Sequence, residues 1–325
     1  MPLLEVKELV KVYGGGKGLL RQKTAPVCAV DHVSFSIEIN KTLAIVGESG
    51  CGKSTTAKCI IRLETPTAGQ VIFNGEDLAQ LSPEAMRLRR RHIQMIYQDP
   101  FSSLNPRMSV FSLLAEPLRT HKLGDKNEIR KKVEEMADMI GLSREQLSRY
   151  PHQFSGGQRQ RISIGRALVT RPSLILADEP VSALDVSIQA QVLNLLADLQ
   201  DELGLTMLFI SHDLNVVQHV SDHIAVMYLG SILEMGPTRQ VCENPQHPYT
   251  IALMDSVPKL DPSARRERPL LEGDVLSLSQ RPEGCLFGTR CKHVQPCCRE
   301  KPPAPVEVTP GHYVSCYLFG NEDRP

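Results

Sequence analysis

Gly47-Glu48-Ser49-Gly50-Cys51-Gly52-Lys53-Ser54 decides how the rest of this chain is read, because it carries the whole G-x-x-x-x-G-K-S pattern of a phosphate-cradling loop. The short apolar run Leu43-Ala44-Ile45-Val46 before it suits a buried parallel strand, and Thr55 through Leu63 after it read as a helix with an apolar stripe. Strand, loop and helix therefore stand in the order the pattern requires. Its glycines let the backbone fold into a concave nest of N–H groups, and the helix adds its positive end to the same point. Lys53 supplies a point charge for β- and γ-phosphates, and the Ser54 hydroxyl suits a Mg²⁺ ligand position. A chance Gly-rich turn would lack the flanking strand and helix.

Outward from the loop, the 325 residues suit one large domain with an appendage, or two domains. Lys and Arg together number 37, as do Asp and Glu, so the net charge is zero and no global field favours nucleic acid or an anionic membrane. Apolar runs such as Leu174–Ala177 and Met207–Ile210 fall far short of the ~20 residues that span a bilayer. The start of the chain shows no secretory signal pattern, so a cytoplasmic location is expected. In that compartment disulfides are rare. The nine cysteines, five of them beyond residue 284, then point to metal or redox chemistry rather than to staples.

Residues 3–9 and 33–39 carry the pattern of strands, and Tyr13, between them, is placed either to stack on a base or to sit idle at the surface. Gln70–Phe73 reads as a strand before an Asn74-Gly75 turn. Arg87–Arg91 is more simply a solvated helix face than an anion patch. Ile93–Tyr97 is a further strand, ending at Gln98, which is placed to meet a ligand. From about 108 to 149 the period becomes helical, with Val133, Met136, Met139 and Ile140 on one stripe.

The second half supplies the other polar groups of a nucleotide site. Ser155-Gly156-Gly157-Gln158 opens a helix and so offers a second set of exposed backbone donors. Leu174–Ala177 is an apolar strand ending in Asp178 and Glu179, suited to hold Mg²⁺ and to polarise an attacking water. Thr206–Ser211 is another such strand and delivers His212 to the sheet edge where open α/β folds bind ligands.

Gly47–Ser54, Gln98, Phe154–Gln158, Leu174–Glu179, Ser182-Ala183-Leu184-Asp185 and His212 together resemble the nucleotide-binding domain of ATP-binding cassette proteins, over about residues 3–240. The resemblance implies an α/β P-loop NTPase fold of the ABC type: a RecA-like core sheet, an antiparallel β-edge, and a helical subdomain at about 100–165. It makes Tyr13 the adenine-stacking residue, Gln98 a switch that senses Mg²⁺, and His212 the γ-phosphate contact. Gly47 through Thr55 and Asp178 hold the nucleotide and its metal, and Glu179 acts on water. It also implies two facing ATPases, with each ATP lying between the phosphate loop of one and Ser155–Gln158 of the other, near Asp185. Phe154 stands where the family more usually has Leu.

Residues 241–325 are rich in proline, among them Pro245, Pro248, Pro258, Pro262, Pro302, Pro303 and Pro305, and are expected to be a loop-rich extension. Asn244–Thr250 and the stretch from Cys285 to Cys316 resemble the tail of ATP-binding subunits of oligopeptide and dipeptide importers. That branch implies two membrane-spanning permease subunits, a second homologous ATPase and an external binding protein. It places the chain peripherally on the cytoplasmic face of the inner membrane, with no role for nucleic acid. Nickel or another solute is the alternative substrate within the branch. A soluble cassette ATPase of DNA repair or translation is disfavoured, because neither a long coiled-coil insertion nor a second cassette is present. Cys285, Cys291, Cys298 and Cys316 resemble the branch's cysteine motif and suit a [4Fe–4S] cluster, with zinc as the competitor, unligated thiols as the remaining alternative, and Cys297 as a rival for the third position.

Overall fold

The first strands extend further than the alternation alone indicates: β1 is Leu4–Tyr13 and β2 is Val27–Ile37. The computed structural model describes residues 2–14, 25–256 and 276–319; Pro258 and Pro262 of the proline-rich tail lie outside them. In β1, Leu4 and Val6 point inward on one parity and Leu9 on the other. A bulge between Lys7 and Val10, with Glu8 at φ 47°, makes that change of parity possible and carries the strand on to Tyr13.

The phosphate loop lies between β3 (Thr42–Val46), which is buried along its whole length, and α1 (Lys53–Ile60). A tight turn at Asn74-Gly75, both at positive φ, joins β4 (Ala68–Phe73) to β5 (Glu76–Asp77). Ser82 caps α2 (Pro83–Arg89), which buries Met86 and turns Arg87 and Arg89 to solvent. β6 (Ile93–Ile96) leads to a short α3 (Pro100–Ser103) where the sequence reads as turns. Then follow α4 (Val110–Thr120), α5 (Lys126–Met139), α6 (Gly156–Leu168), β7 (Leu174–Asp178), α7 (Val186–Leu203) and β8 (Thr206–Ser211). The chain continues through α8 (Leu214–Val220), β9 (His223–Tyr228), β10 (Ser231–Pro237), α9 (Thr238–Glu243) and α10 (Pro248–Ser256), and closes with β11 (Val306–Thr309) and β12 (His312–Val314).

These elements group into two compact bodies. Of the described residues, one body holds 2–3, 37–42 and 80–210; the other holds those within 4–36, 43–79 and 211–319. In the first body β6, β7 and β8 run parallel, with Ile96 beside Ala177 and Ala177 beside Phe209. The helices α4, α5 and α6 pack through Leu113, Leu114, Val133, Met136, Ile140, Ile162 and Ile164, all nearly inaccessible. Each such side chain contributes roughly 1.5–3 kcal/mol by burial. Met139, on the expected stripe, is only half-buried. A capping box of Asp125 with Glu128 starts α5.

In the second body β2, β1, β4 and β5 form one sheet in that order, with antiparallel pairing of β1 with β4 and β4 with β5. A further sheet runs from β3, parallel to β9, through antiparallel β10 to β12 and β11. The proline-rich tail is thus stitched in by a hairpin. Buried Glu234 reinforces it, accepting from the backbone N–H groups of Gln246 and His247, both at 2.8 Å, and from His312 Nε2 at 2.7 Å. An apolar side chain at 234 would leave those donors unpaired.

Candidate functional site

Gly47, Gly50 and Gly52 all have positive φ, at 151°, 78° and 110°. Two of the three are also sterically enforced. A Cβ on Gly47 would stand 2.1 Å from the Met227 carbonyl oxygen, and one on Gly52 would stand 2.2 Å from that of Ala29. The loop closes on Lys53, 4% exposed, whose Nζ donates to the carbonyls of Gly47 (2.8 Å) and Glu48 (2.9 Å). Ser54 and Thr55 occupy the first turn of α1, and Thr56 Oγ1 returns to the Gly52 carbonyl. Burial raises the pKa of the Cys51 thiol, opposed by the Lys53 ammonium, whose Nζ stands 3.8 Å from its Sγ.

In the same body Tyr13, 37% exposed, ends β1 with Lys11 Nζ 4.7 Å from its ring centroid. Its hydroxyl pKa is raised by burial and lowered by a hydrogen bond with Thr55, which puts the ring beside the first turn of α1. His212 is exposed immediately after β8, ahead of Asp213, which caps α8 through Asn215 N–H at 2.9 Å.

The other body carries the carboxylates. Asp178 is the last residue of fully buried β7 and is itself 6% exposed. Glu179 leaves the strand at φ 46°, in the left-handed region that a non-glycine residue enters only when its surroundings hold it there. The holding bonds are its N–H to the Ile210 carbonyl (3.0 Å) and its carbonyl accepting from Ser182 N–H (3.3 Å) and Oγ (3.1 Å). Gln98 Nε2 donates to Glu179 Oε2 at 3.0 Å, so the ends of β6 and β7 bring these two predicted groups together.

Ser155 caps α6 in a reciprocal box with Gln158: Gln158 N–H donates to Ser155 Oγ (3.4 Å) and Ser155 N–H to Gln158 Oε1 (3.1 Å). Phe154 is buried beneath the turn, and a Cβ on Gly157 would meet Ile188 Cγ2 at 2.4 Å. Ser155 and Asp185 are exposed, and Val186 is 82% exposed.

Cys285, Cys291, Cys298 and Cys316 line one small cavity, with Phe287, His247 and His293 in its wall; Cys297 is not among the lining residues, and its Sγ turns to Gln295 Oε1 at 3.8 Å. Burial above all, with the neighbouring cysteines adding, pushes the thiols of Cys285 and Cys316 up to about 11. Four thiols are the donor chemistry that an iron–sulfur or zinc site uses. Among the described residues, however, no group of three or more His, Cys, Asp or Glu is drawn into metal-holding geometry.

The sequence reading missed what holds this tail against the phosphate loop. Arg290 Nη1 stands 3.0 Å from both carboxylate oxygens of Glu48, and Glu48 N–H donates to the Tyr249 hydroxyl at 3.0 Å. Tyr228, Tyr249 and Phe287 pack ring against ring around them, with centroids 4.7–5.7 Å apart. No local signal in the sequence marks Arg290, because its partner is 242 residues away.

Comparison with known proteins shows the family. Residues 30–182 match the ABC transporter family, and residues 233–298 match the C-terminal region of oligopeptide/dipeptide transporters. The chain is 51% identical to the oligopeptide transport ATP-binding protein AppF of Bacillus subtilis, over 98% of this chain and 97% of that one. It is 47% identical to the dipeptide transport ATP-binding protein DppF of Escherichia coli, over 100% and 96%. Among solved structures, the dimeric post-hydrolysis cassette MJ0796 bound to ADP and Pi matches with TM-score 0.64 and 30% identity, over 73% of this chain and 99% of that one. No helix among the described residues is long and apolar enough to cross a membrane.

Proposed function

The chain belongs to the ATP-binding subunits of ABC transporters, in the oligopeptide/dipeptide branch, and from that membership we propose that it hydrolyses ATP to drive peptide import through a membrane complex. The observation that carries the catalytic part is the Gln98–Glu179 pair held at two strand ends, in a chain that also has a complete phosphate nest. In the reaction Lys53 and the loop N–H groups from Gly47 to Thr55 bind the β- and γ-phosphates, and the Tyr13 ring stacks on adenine. Ser54, Gln98 and Asp178 are the residues that would hold Mg²⁺, which neutralises charge developing on the phosphates. Glu179 orients and polarises the attacking water, Gln98 fixing its carboxylate, and His212 contacts the γ-phosphate.

Residues 1–240 form the ABC domain, with its helical subdomain at about 100–165, and 241–325 the extension. Ser155, Gly156, Gly157, Gln158 and Asp185 serve the nucleotide bound by a second, homologous ATPase. ATP favours the closed pair because the closed pair binds it better, and hydrolysis releases the grip. Two permease subunits receive this motion at the helical subdomain, an external binding protein delivers the peptide, and the chain sits peripherally on the cytoplasmic face of the membrane. In the extension, Cys285, Cys291, Cys298 and Cys316 would hold a [4Fe–4S] cluster or zinc, whose contribution is to clamp a proline-rich segment poor in apolar residues.

Vesicles carrying the complete transporter should take up labelled di- and oligopeptides only with ATP. Glu179→Gln should retain ATP binding while uptake and turnover fall by the roughly 10²–10⁴-fold that a lost general base costs. Turnover within about threefold of wild type, far below that roughly 10²–10⁴-fold range, would remove Glu179 from that role. ATP-driven uptake of a nickel chelate with no uptake of peptide would move the substrate reading to the other solute class.

A further inference from the structure

Arg290 immediately precedes Cys291, yet its guanidinium faces the nucleotide loop. Its side chain is 4% exposed, Nη1 reaches both oxygens of Glu48 at 3.0 Å and the Tyr228 hydroxyl at 3.3 Å, and the rings of Tyr228 and Phe287 lie 5.9 Å from its guanidinium carbon. Glu48 is the second residue of the loop, and its carbonyl is one of the two that hold the Lys53 ammonium. The preceding peptide unit, whose Gly47 carbonyl also accepts from Lys53, is fixed as well, since its Glu48 N–H donates to the hydroxyl of fully buried Tyr249. One loop residue is therefore gripped at side chain and backbone by two tail residues.

The grip continues into the cysteine cavity. Tyr249 N–H donates to His247 Nδ1 at 3.0 Å, and both His247 and Phe287 stand in the cavity wall. If Arg290 served only to pack the tail, any buried contact would do. It instead neutralises the carboxylate of a residue whose backbone carbonyl positions the phosphate-binding lysine, and a charge so placed is costly once its partner is removed.

We propose that Arg290 and Tyr249 are positioning residues of the nucleotide cradle: they hold Glu48, and through it Lys53, in the shape that takes triphosphate, so that an ordered cysteine-bearing segment tightens ATP binding. This rests on reading Gly47–Ser54 as the nucleotide site. Coupling of this kind is reciprocal, so ATP in the cradle also steadies the tail.

Equilibrium binding of Mg-ATP to the full-length chain tests it. Arg290→Ala should weaken binding roughly 5–150-fold, the ordinary range of coupling between sites. Glu48→Ala should do the same, and the double variant should be no worse than the worse single, because the two act as one unit. Arg290→Lys, which keeps a cation, should recover part of the loss. In the assembled transporter Arg290→Ala should raise KM for ATP while leaving kcat at saturation. Should Arg290→Ala fail to fold, Tyr249→Phe keeps the buried ring, removes only the acceptor of Glu48 N–H, and should weaken binding in the same direction. Lys53→Ala separates the two readings. Wild-type binding by Lys53→Ala overturns the nucleotide site itself. Loss of binding by Lys53→Ala, with wild-type affinity in Arg290→Ala, Glu48→Ala and Tyr249→Phe, overturns this inference alone, as would strictly additive losses in the double variant.

Discussion

The phosphate loop and the Ser155–Gln158 turn both end in the first turn of a helix, yet one is walled in and the other is offered outward. Around the loop, carbonyls of Ala29 and Met227 crowd the glycines, Lys53 is buried, and Glu48 is held by Arg290 and Tyr249. At the turn, Ser155 is exposed, a capping box satisfies its own donors, and neighbouring Val186 presents 82% of its surface to solvent. A helix N-terminus attracts anions in either setting, but only the first is enclosed by this chain. The difference teaches that the loop is walled in by its own chain, whereas the turn lies at an open surface, which is what the proposed sharing of ATP between two ATPases requires.

Substitution at each end should break the comparison unequally. Gly52→Ala should have the larger effect: at φ 110° with a carbonyl 2.2 Å from the new Cβ, the loop must shift. Such strain costs on the order of 1–3 kcal/mol, which is roughly 5–150-fold in nucleotide affinity measured by titration. Unchanged affinity would mean that the nest is not the binding element. Ser155→Ala should instead cost about 1 kcal/mol of stability through the lost cap, read by denaturant unfolding, and should leave ATP binding by the isolated chain intact. If it weakened that binding as much as Gly52→Ala, the division of labour between the two helix ends would fail.

What the sequence could disclose was local in origin. The loop, the β7 carboxylates and the α6 turn are each specified within about ten residues, so their spacing is legible without a fold. Alternation alone makes β1 too short, because the bulge at Glu8 breaks it. The helical turn at Pro100–Ser103 was hidden behind Ser, Asn and Pro, which favour turns as readily as a first helical turn. Neither Arg290 nor Tyr249 could be linked to Glu48, since the contacts span 242 and 201 positions and depend on aromatic packing in the tail. Convergence of Cys285 and Cys316 likewise depends on the β11–β12 hairpin that returns the chain to β10.

ATP turnover per chain, followed across dilution for the chain alone and for the chain assembled with its permease subunits and second ATPase, tests the central claim most directly. A site completed by another subunit predicts slow turnover that falls further as the isolated chain is diluted, and full, peptide-stimulated turnover only in the assembly. Undiminished turnover from a strictly monomeric preparation at high dilution would contradict it.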